Sequence, residues 1–301
     1  MTERKRSTNG KPLAGPHPKE AGPQPPFPKQ RQAFPATETK MSPTPDHGER
    51  TYRGTGRLKD RVALITGGDS GIGRAVALAF AREGADVAIS YLEAEEDDAR
   101  GSAKWVEEAG RRALLLPGDI QEEAHCRTLV ERTVAELGRL DILVNNAAFQ
   151  WPRQHISEVT AAELEKTFRT NVFAMFHLCK FAVAHMKPGS VIINVSSIQG
   201  DKPSPHLLPY AATKGAVDTF SSALAQQLAD DGIRVNVVAP GPVWTPLITI
   251  DSDADEFGKD YPMGRPAQPA ELAPLFVFLA SDESRYVNGA VVGVTGGKPM
   301  L

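Results

Sequence analysis

From Arg61 onward the chain alternates short apolar runs with longer amphipathic stretches. The runs VALIT at 62–66, DVAIS at 86–90, ALLL at 113–116, DILVN at 141–145, SVIINVS at 190–196, IRVNVV at 233–238 and AVVGV at 290–294 are continuous, not alternating in polarity. Continuous apolar runs are expected of parallel strands whose two faces are both covered. Between them the spacing predicts helices over Ile72–Glu83, Glu93–Ala109, Glu122–Leu137, Ala161–His185, Tyr210–Asp230 and Pro269–Ala280. The third shows helical apolar spacing at Ala124, Leu129, Val130, Val134 and Leu137, and Thr160-x-x-Glu163 is a candidate capping box for the fourth. This alternation predicts a doubly wound α/β domain, a seven-stranded parallel sheet with helices on both faces, over residues 58–301.

Before Leu58 the pattern stops. Residues 1–50 hold 10 of the 24 prolines and no large apolar residues beyond Leu13, Phe27, Phe34 and Met41. Such a stretch cannot bury enough apolar surface to fold alone, so 1–57 reads as a Pro-rich extended arm. Two alternatives stay open: a flexible tail, or an arm that docks Phe27 and Phe34 on its own or a neighbouring subunit.

Bulk properties narrow the function classes. With 301 residues, 41% hydrophobic and 24% charged, the chain can build one large soluble core. A net charge of -3 gives no reason to expect nucleic acid or a membrane surface as partner. No apolar run is long enough to span a bilayer, and MTERKRSTNGKPLAG lacks the apolar core of a secretory signal. Cys126 and Cys179 both fall in helical stretches and read as reduced thiols, with no metal site expected. A cytoplasmic location is expected.

The first strand runs directly into Thr66-Gly67-Gly68-Asp69-Ser70-Gly71-Ile72-Gly73 and then a helix. A tight strand-to-helix turn aims backbone N–H groups and the positive end of the helix dipole at one point, where a pyrophosphate can sit. Glycine serves where φ is positive or a Cβ would block ligand or helix. The spacing G-x-x-x-G-x-G resembles that of the short-chain dehydrogenase/reductase family, and that resemblance extends over about residues 58–301. It implies a single Rossmann-type domain, a nicotinamide cofactor, and binding of that cofactor by Gly67, Ser70, Gly71, Ile72 and Gly73.

The family resemblance assigns further positions. Asp119 and Ile120, after the third strand, would contact the adenine, although Asp119 also reads as a helix N-cap. Asn145-Asn146-Ala147-Ala148 is similar to the family's N-N-A-G, so Asn146, Ala147 and Ala148 would line the cofactor ribose. Pro240, Gly241, Val243 and Thr245 match the P-G segment along the nicotinamide. At the end of the second strand, Ser90-Tyr91-Leu92-Glu93 offers neither an acid for the ribose hydroxyls nor a base for a 2′-phosphate. The acids Glu93, Glu95 and Glu96 would repel that phosphate, so of NAD(H) and NADP(H) the reading leans to NAD, with Ser90 and Tyr91 still able to hold a phosphate.

Ser197, Tyr210 and Lys214 occur as S-x12-Y-x3-K. Ser197 ends the fifth strand at the ligand-binding edge of the sheet, and Tyr210 and Lys214 share a helix face. A free tyrosine, with a pKa near about 10, is too weak a base at neutral pH. Lowering it to about 7 requires roughly 4 kcal/mol, which one cation about 4 Å away supplies at an effective dielectric of about 20. Tyr210 would therefore move the substrate proton, Ser197 would hydrogen-bond the substrate oxygen, and Lys214 would tune Tyr210 and bind the nicotinamide ribose. Ser196 is a rival for the serine role. The resemblance adds Asn171, whose water would link Lys214 to solvent; packing or helix bending is its plainer explanation.

TGGDSGIG, the Pro-rich extension and VAISYLEAEEDDA together resemble the bacterial glucose/ribitol dehydrogenase-like group of this family. The implied substrate is a small alcohol or carbonyl compound: a sugar, a polyol, or an aldehyde or ketone. A non-catalytic dinucleotide-binding scaffold or sensor is the alternative. Gln150, Trp151, Gln199, His206 and the flexible stretch 247–261, with the solvated acids at 252–256, would surround the substrate. The family implies a homotetramer or homodimer built through the helices carrying Asn171 and Tyr210.

Overall fold

The computed structural model describes residues 17–250 and 252–300. Seven strands, β1 (Val62–Thr66), β2 (Asp86–Tyr91), β3 (Ala113–Pro117), β4 (Ile142–Asn145), β5 (Val191–Val195), β6 (Arg234–Pro240) and β7 (Val291–Val294), form one sheet. Their order is β3-β2-β1-β4-β5-β6-β7, and every pairing is parallel. The helices are α1 (Gly71–Arg82), α2 (Glu96–Glu108), α3 (Glu123–Leu137), α4 (Ala161–Phe168), α5 (Ala174–Val183), α6 (Leu208–Gln227) and α7 (Pro269–Ala280). Successive side chains on a strand point to opposite faces. Ala63 and Ile65 therefore join the core under α1, α2 and α7, while Val62 and Leu64 join the core under α3, α5 and α6. Both faces being covered explains why the strands read as unbroken apolar runs.

The strand order reverses between β1 and β4, which opens a crevice at their carboxyl ends. The register sets Thr66 beside Ser90 and Asn145 beside Asn194, so the loops after β1, β2, β4 and β5 leave the sheet along one edge. The cysteines are free and buried. Among the described residues no helix is long and apolar enough to cross a membrane.

The expected fourth helix, 161–185, is two helices with a π turn between them at Arg169–Phe173. The Thr160–Glu163 capping box starts it: Glu163 N–H donates to Thr160 Oγ1 at 3.2 Å, and Thr160 N–H donates to Glu163 Oε2 at 3.1 Å. The interruption falls on Asn171, whose side chain bonds to another segment; such turns concentrate at functional sites.

Residues 17–57 lie against the domain, the docked alternative. Phe27 is buried and its ring lies 4.1 Å from that of Trp244, whose Nε1–H donates to Pro43 O at 2.7 Å. Burying one such phenyl ring stabilises by about 1.5–3 kcal/mol. Nearer the domain, Tyr52 Oη donates to Glu83 Oε1 at 2.6 Å, and Arg57 donates to the same carboxylate. Burial pushes Glu83 up, but the Arg57 and Tyr52 bonds outweigh it and hold the carboxyl at about 2. The acids at 252–256, expected to be solvated, are also tied to the arm. Phe27 N–H donates to Asp255 O at 2.8 Å, and Lys29 pairs with Asp253 and Asp255 at 3.8 and 3.9 Å.

Candidate active site

The turn after β1 has the shape its glycines require. Gly67 and Gly71 hold φ at +62° and +49°, in the left-handed region that side chains disfavour. A Cβ on Gly73 would lie 1.9 Å from Gly67 O, and one on Gly71 2.9 Å from Thr245 Cγ2. The turn is tied to β4: Asn146 Nδ2 donates to Thr66 O and to Gly67 O, both at 3.0 Å, and Thr66 Oγ1 accepts the Asn146 and Ala147 N–H groups. Gly67, Ser70, Gly71 and Ile72 line open space at the amino end of α1, where backbone amides suit a phosphate, so the residues fit a dinucleotide.

One cavity of about 330 Å³ runs from this turn to the loop after β6. Of the residues assigned to the cofactor from sequence, all but Gly73 line it: Gly67, Ser70, Gly71, Ile72, Ser90, Tyr91, Leu92, Asp119, Ile120, Asn146, Ala147, Ala148, Tyr210, Lys214, Pro240, Gly241, Val243 and Thr245. Gly73 acts one layer back, by letting α1 approach Gly67. Asp119 is not the cap of α3, whose N-cap is Glu122; its carboxylate accepts the Gln121 N–H at 2.9 Å.

The electrostatic ground for a lean to NAD does not survive. Burial, then the charges of Asp69 and Asp98, raise the Glu95 carboxyl well above its ordinary value and so weaken its repulsion of a phosphate. Glu96 accepts the Tyr91 hydroxyl and pairs with Arg100, and Glu93 faces solvent. Buried Asp69 is itself pushed up to about 6.

Ser197, Tyr210 and Lys214 meet at the other end of the cavity, all buried. Ser197 caps the short turn Ile198–Gly200 by accepting the Gln199 N–H at 3.2 Å, its hydroxyl also faces Pro240 O at 3.5 Å, and it lies close enough to Tyr210 to draw the phenol's pKa down. The rival Ser196 turns away and donates to Lys214 O at 3.1 Å. Lys214 departs from expectation. Its Nζ donates to Val195 O at 2.8 Å and lies 5.3 Å from the centroid of the Tyr210 ring. A buried ammonium needs an acceptor, and the strand carbonyl is the one within reach. Burial thus pushes Tyr210 up to about 12, with the Ser197 bond pulling the other way. Burial also lowers Lys214 to about 8, against the pull of Asp218 one turn further along α6.

Asn171 contacts neither. Its Oδ1 accepts the Phe149 N–H at 2.7 Å, and its Nδ2 donates to Phe149 O at 2.9 Å and to Thr213 Oγ1 at 3.0 Å. Thr213 in turn donates to Tyr210 O at 2.6 Å, so Asn171 ties the β4 loop to the helix that carries the reacting groups. A second cavity of about 10 Å³, the size of one water, is lined by Asn145, Asn171 and Lys214. Gln150 and Gln199 line the main cavity; Trp151 and His206 do not. Sequence reasoning missed Lys166, an ordinary helix-surface lysine by pattern, and Ala36. Phe34, read only as a docking residue, also lines the cavity.

Comparison with known proteins bears on the family and the fold. A family model described as enoyl-(acyl carrier protein) reductase matches residues 67–298. The chain is 53% identical to the uncharacterised oxidoreductase YghA of Escherichia coli K12 over 90% of this chain and 94% of that one. It is 44% identical to NADPH-dependent aldehyde reductase 1, chloroplastic, of Arabidopsis thaliana over 89% of this chain and 97% of that one. Among solved structures, a short-chain dehydrogenase from Burkholderia cenocepacia in complex with NADP superposes with a TM-score of 0.75 at 31% identity, covering 80% of this chain and 98% of that one. A 3-ketoacyl-(acyl-carrier-protein) reductase from Brucella melitensis complexed with NADH gives 0.74 at 34% identity, with the same coverage.

Proposed function

As a member of the short-chain dehydrogenase/reductase family this chain is an oxidoreductase, and we propose that it reduces a small aldehyde or ketone, or runs the reverse on an alcohol, sugar or polyol, with NADP(H) or NAD(H). The observation that carries this is the buried Ser197–Tyr210–Lys214 set at one end of a cavity whose other end is the glycine cradle. Binding alone would not require three polar groups to be taken out of water at a cost, which argues against a scaffold or sensor. Both cofactors stay in the proposal, because burial raises Glu95 and weakens the repulsion of a phosphate, and the solved neighbours hold NADP or NADH.

The dinucleotide would supply the hydride. The chain's own groups handle the oxygen and its proton. Ser197 donates a hydrogen bond to the carbonyl oxygen and stabilises charge developing there. Tyr210, held above its usual range, keeps its proton at neutral pH and is in the right state to give it to that oxygen. The resulting phenolate then faces the Lys214 ammonium, which moves from Val195 O to meet it. A water in the small cavity beside Asn171 and Lys214 would return the proton from solvent.

This assignment fixes a pH profile. Lys214 must be charged, and its proton is lost as pH rises through about 8, whereas that of Tyr210 stays until about 12. With saturating reduced dinucleotide, kcat for aldehyde reduction should be level from about pH 6 to 7.5 and fall above about 8. A kcat that climbs through that range would contradict the assignment.

We also propose assembly into a homotetramer or homodimer through the α4–α5 and α6 face. Leu164, Phe173 and Phe176 are exposed there, and the Phe176 ring lies 4.1 Å from Phe220. An apolar patch of that kind marks an interface. Phe176→Glu should shift gel-filtration elution to the monomer; unchanged elution would count against this face.

A further inference from the structure

The arm passes along the main cavity from the loop after β6 to the amino end of α1, with Phe34 and Ala36 in its wall. Gln32 N–H donates to Thr249 O at 3.0 Å, and Gln32 pairs with Ile250 in the loop after β6. Phe34 meets Phe149 edge-on with 5.0 Å between centroids, and the Lys166 ammonium sits 3.8 Å over the Phe34 ring. Four residues later Glu38 reaches α1. Phe34 and Ala36 line the cavity, but Glu38 does not. Its Oε2 accepts the Gly71 N–H at 3.0 Å from outside, and its own N–H donates to Asp98 Oδ2 at 2.8 Å. His47 Nε2 lies 2.5 Å from Glu38 Oε1, and Arg74 Nη1 lies 3.6 Å from Oε2.

The two ends of this stretch are held by different physics. Glu38 is 1% and His47 6% exposed, so the Glu38 carboxylate depends on His47, Arg74 and the amino end of α1. Burial raises the Glu38 carboxyl, but His47, Arg74 and the Gly71 amide together bring it below its ordinary value. Lifting the arm would strand that carboxylate or force it back into water. At Phe34, by contrast, the contacts are a ring edge and a cation over a ring, each worth only about 0.5–1.5 kcal/mol. The anchor is at Glu38, and the span along the cavity is light.

We propose that residues 32–38 roof the dinucleotide cleft, with Glu38 as its latch, and that this roof opens to admit and release the dinucleotide. The proposal rests on the cofactor reading above. Since one roof stands across both entry and exit, weakening it changes the exchange rates more than the affinity. Glu38 is a positioning residue here, acting through the arm and the Gly71 amide.

Stopped-flow mixing of reduced nicotinamide dinucleotide with the full chain, followed by nicotinamide fluorescence, gives both rates for the wild type, Glu38→Gln and Phe34→Ala. Glu38→Gln keeps an oxygen for Gly71 and removes the charge that holds His47 and Arg74. Association and dissociation should each rise about tenfold, with Kd changing less than about threefold. In the wild type, amide hydrogen exchange over 32–38 should slow on saturation with dinucleotide. If Glu38→Gln fails to fold, Phe34→Ala decides alone. Unchanged rates in the folded variants overturn the roof, and so does faster association alone, which would make Phe34 a plug in the dinucleotide's own place. A wild-type chain that binds no dinucleotide overturns the cofactor reading and the roof together.

Discussion

Tyr210→Phe is expected to lower kcat for carbonyl reduction by about a thousandfold while leaving the dinucleotide Kd within about threefold. The substitution removes one oxygen from a ring that is 8% exposed, so the cavity wall keeps its shape. Ser197 retains its bonds to the Gln199 N–H and to Pro240 O, so the lost hydroxyl leaves no group stranded, and folding stability should change by no more than about 1 kcal/mol. What disappears is the proton donor. Ser197 cannot replace it, because an aliphatic hydroxyl is a far weaker acid than a phenol. Tyr261 also lines the cavity, so turnover reduced only a few-fold would move the proton-donor role to that residue.

Gly73→Ala should be among the most damaging single-methyl changes at the described glycines. Its Cβ would lie 1.9 Å from Gly67 O, 2.7 Å from Asn146 Nδ2 and 2.7 Å from Gly67 C. Two of the three are backbone atoms of the turn, and the third is the amide that ties that turn to β4. None is the free end of a flexible side chain. Relief requires α1 to move away from β1, against the buried packing of Ala75, Val76 and Ala79. We expect a loss of about 3 kcal/mol of stability, the upper part of the range for overpacking, together with at least about a tenfold loss in dinucleotide affinity, since the amides of the turn are re-aimed. Thermal melting and dinucleotide titration check this. A variant that melts and binds like the wild type would show that the turn is not the rigid cradle described here.

How far the sequence showed this depended on whether the causes were local. The strands were legible because burial on both sheet faces leaves a continuous apolar run, and α7 was bounded correctly at both ends, Pro269 supplying a favourable first position. The glycine turn was legible because positive φ and close approach leave few alternatives to glycine. The π turn at Asn171 was not, since its partners Phe149 and Thr213 lie 22 and 42 residues away. Which of the two alternatives held for the arm was not legible, for the same reason. Its composition correctly argues that it cannot fold alone, yet Trp244, Glu83 and Gly71 hold it from elsewhere in the chain. The sequence also brought Lys214 within reach of Tyr210 by helical spacing, but it could not show that a strand carbonyl takes the ammonium first.

The central claim is that Tyr210, Ser197 and Lys214 serve hydride transfer to a carbonyl. The most direct test is isotopic: mix the full chain with reduced dinucleotide deuterated at C4 and a panel of small aldehydes and ketones, and follow deuterium by mass spectrometry. The account predicts deuterium on the former carbonyl carbon of the product with the wild type, and about a thousandfold slower incorporation with Tyr210→Phe. Equal incorporation with both proteins would contradict it.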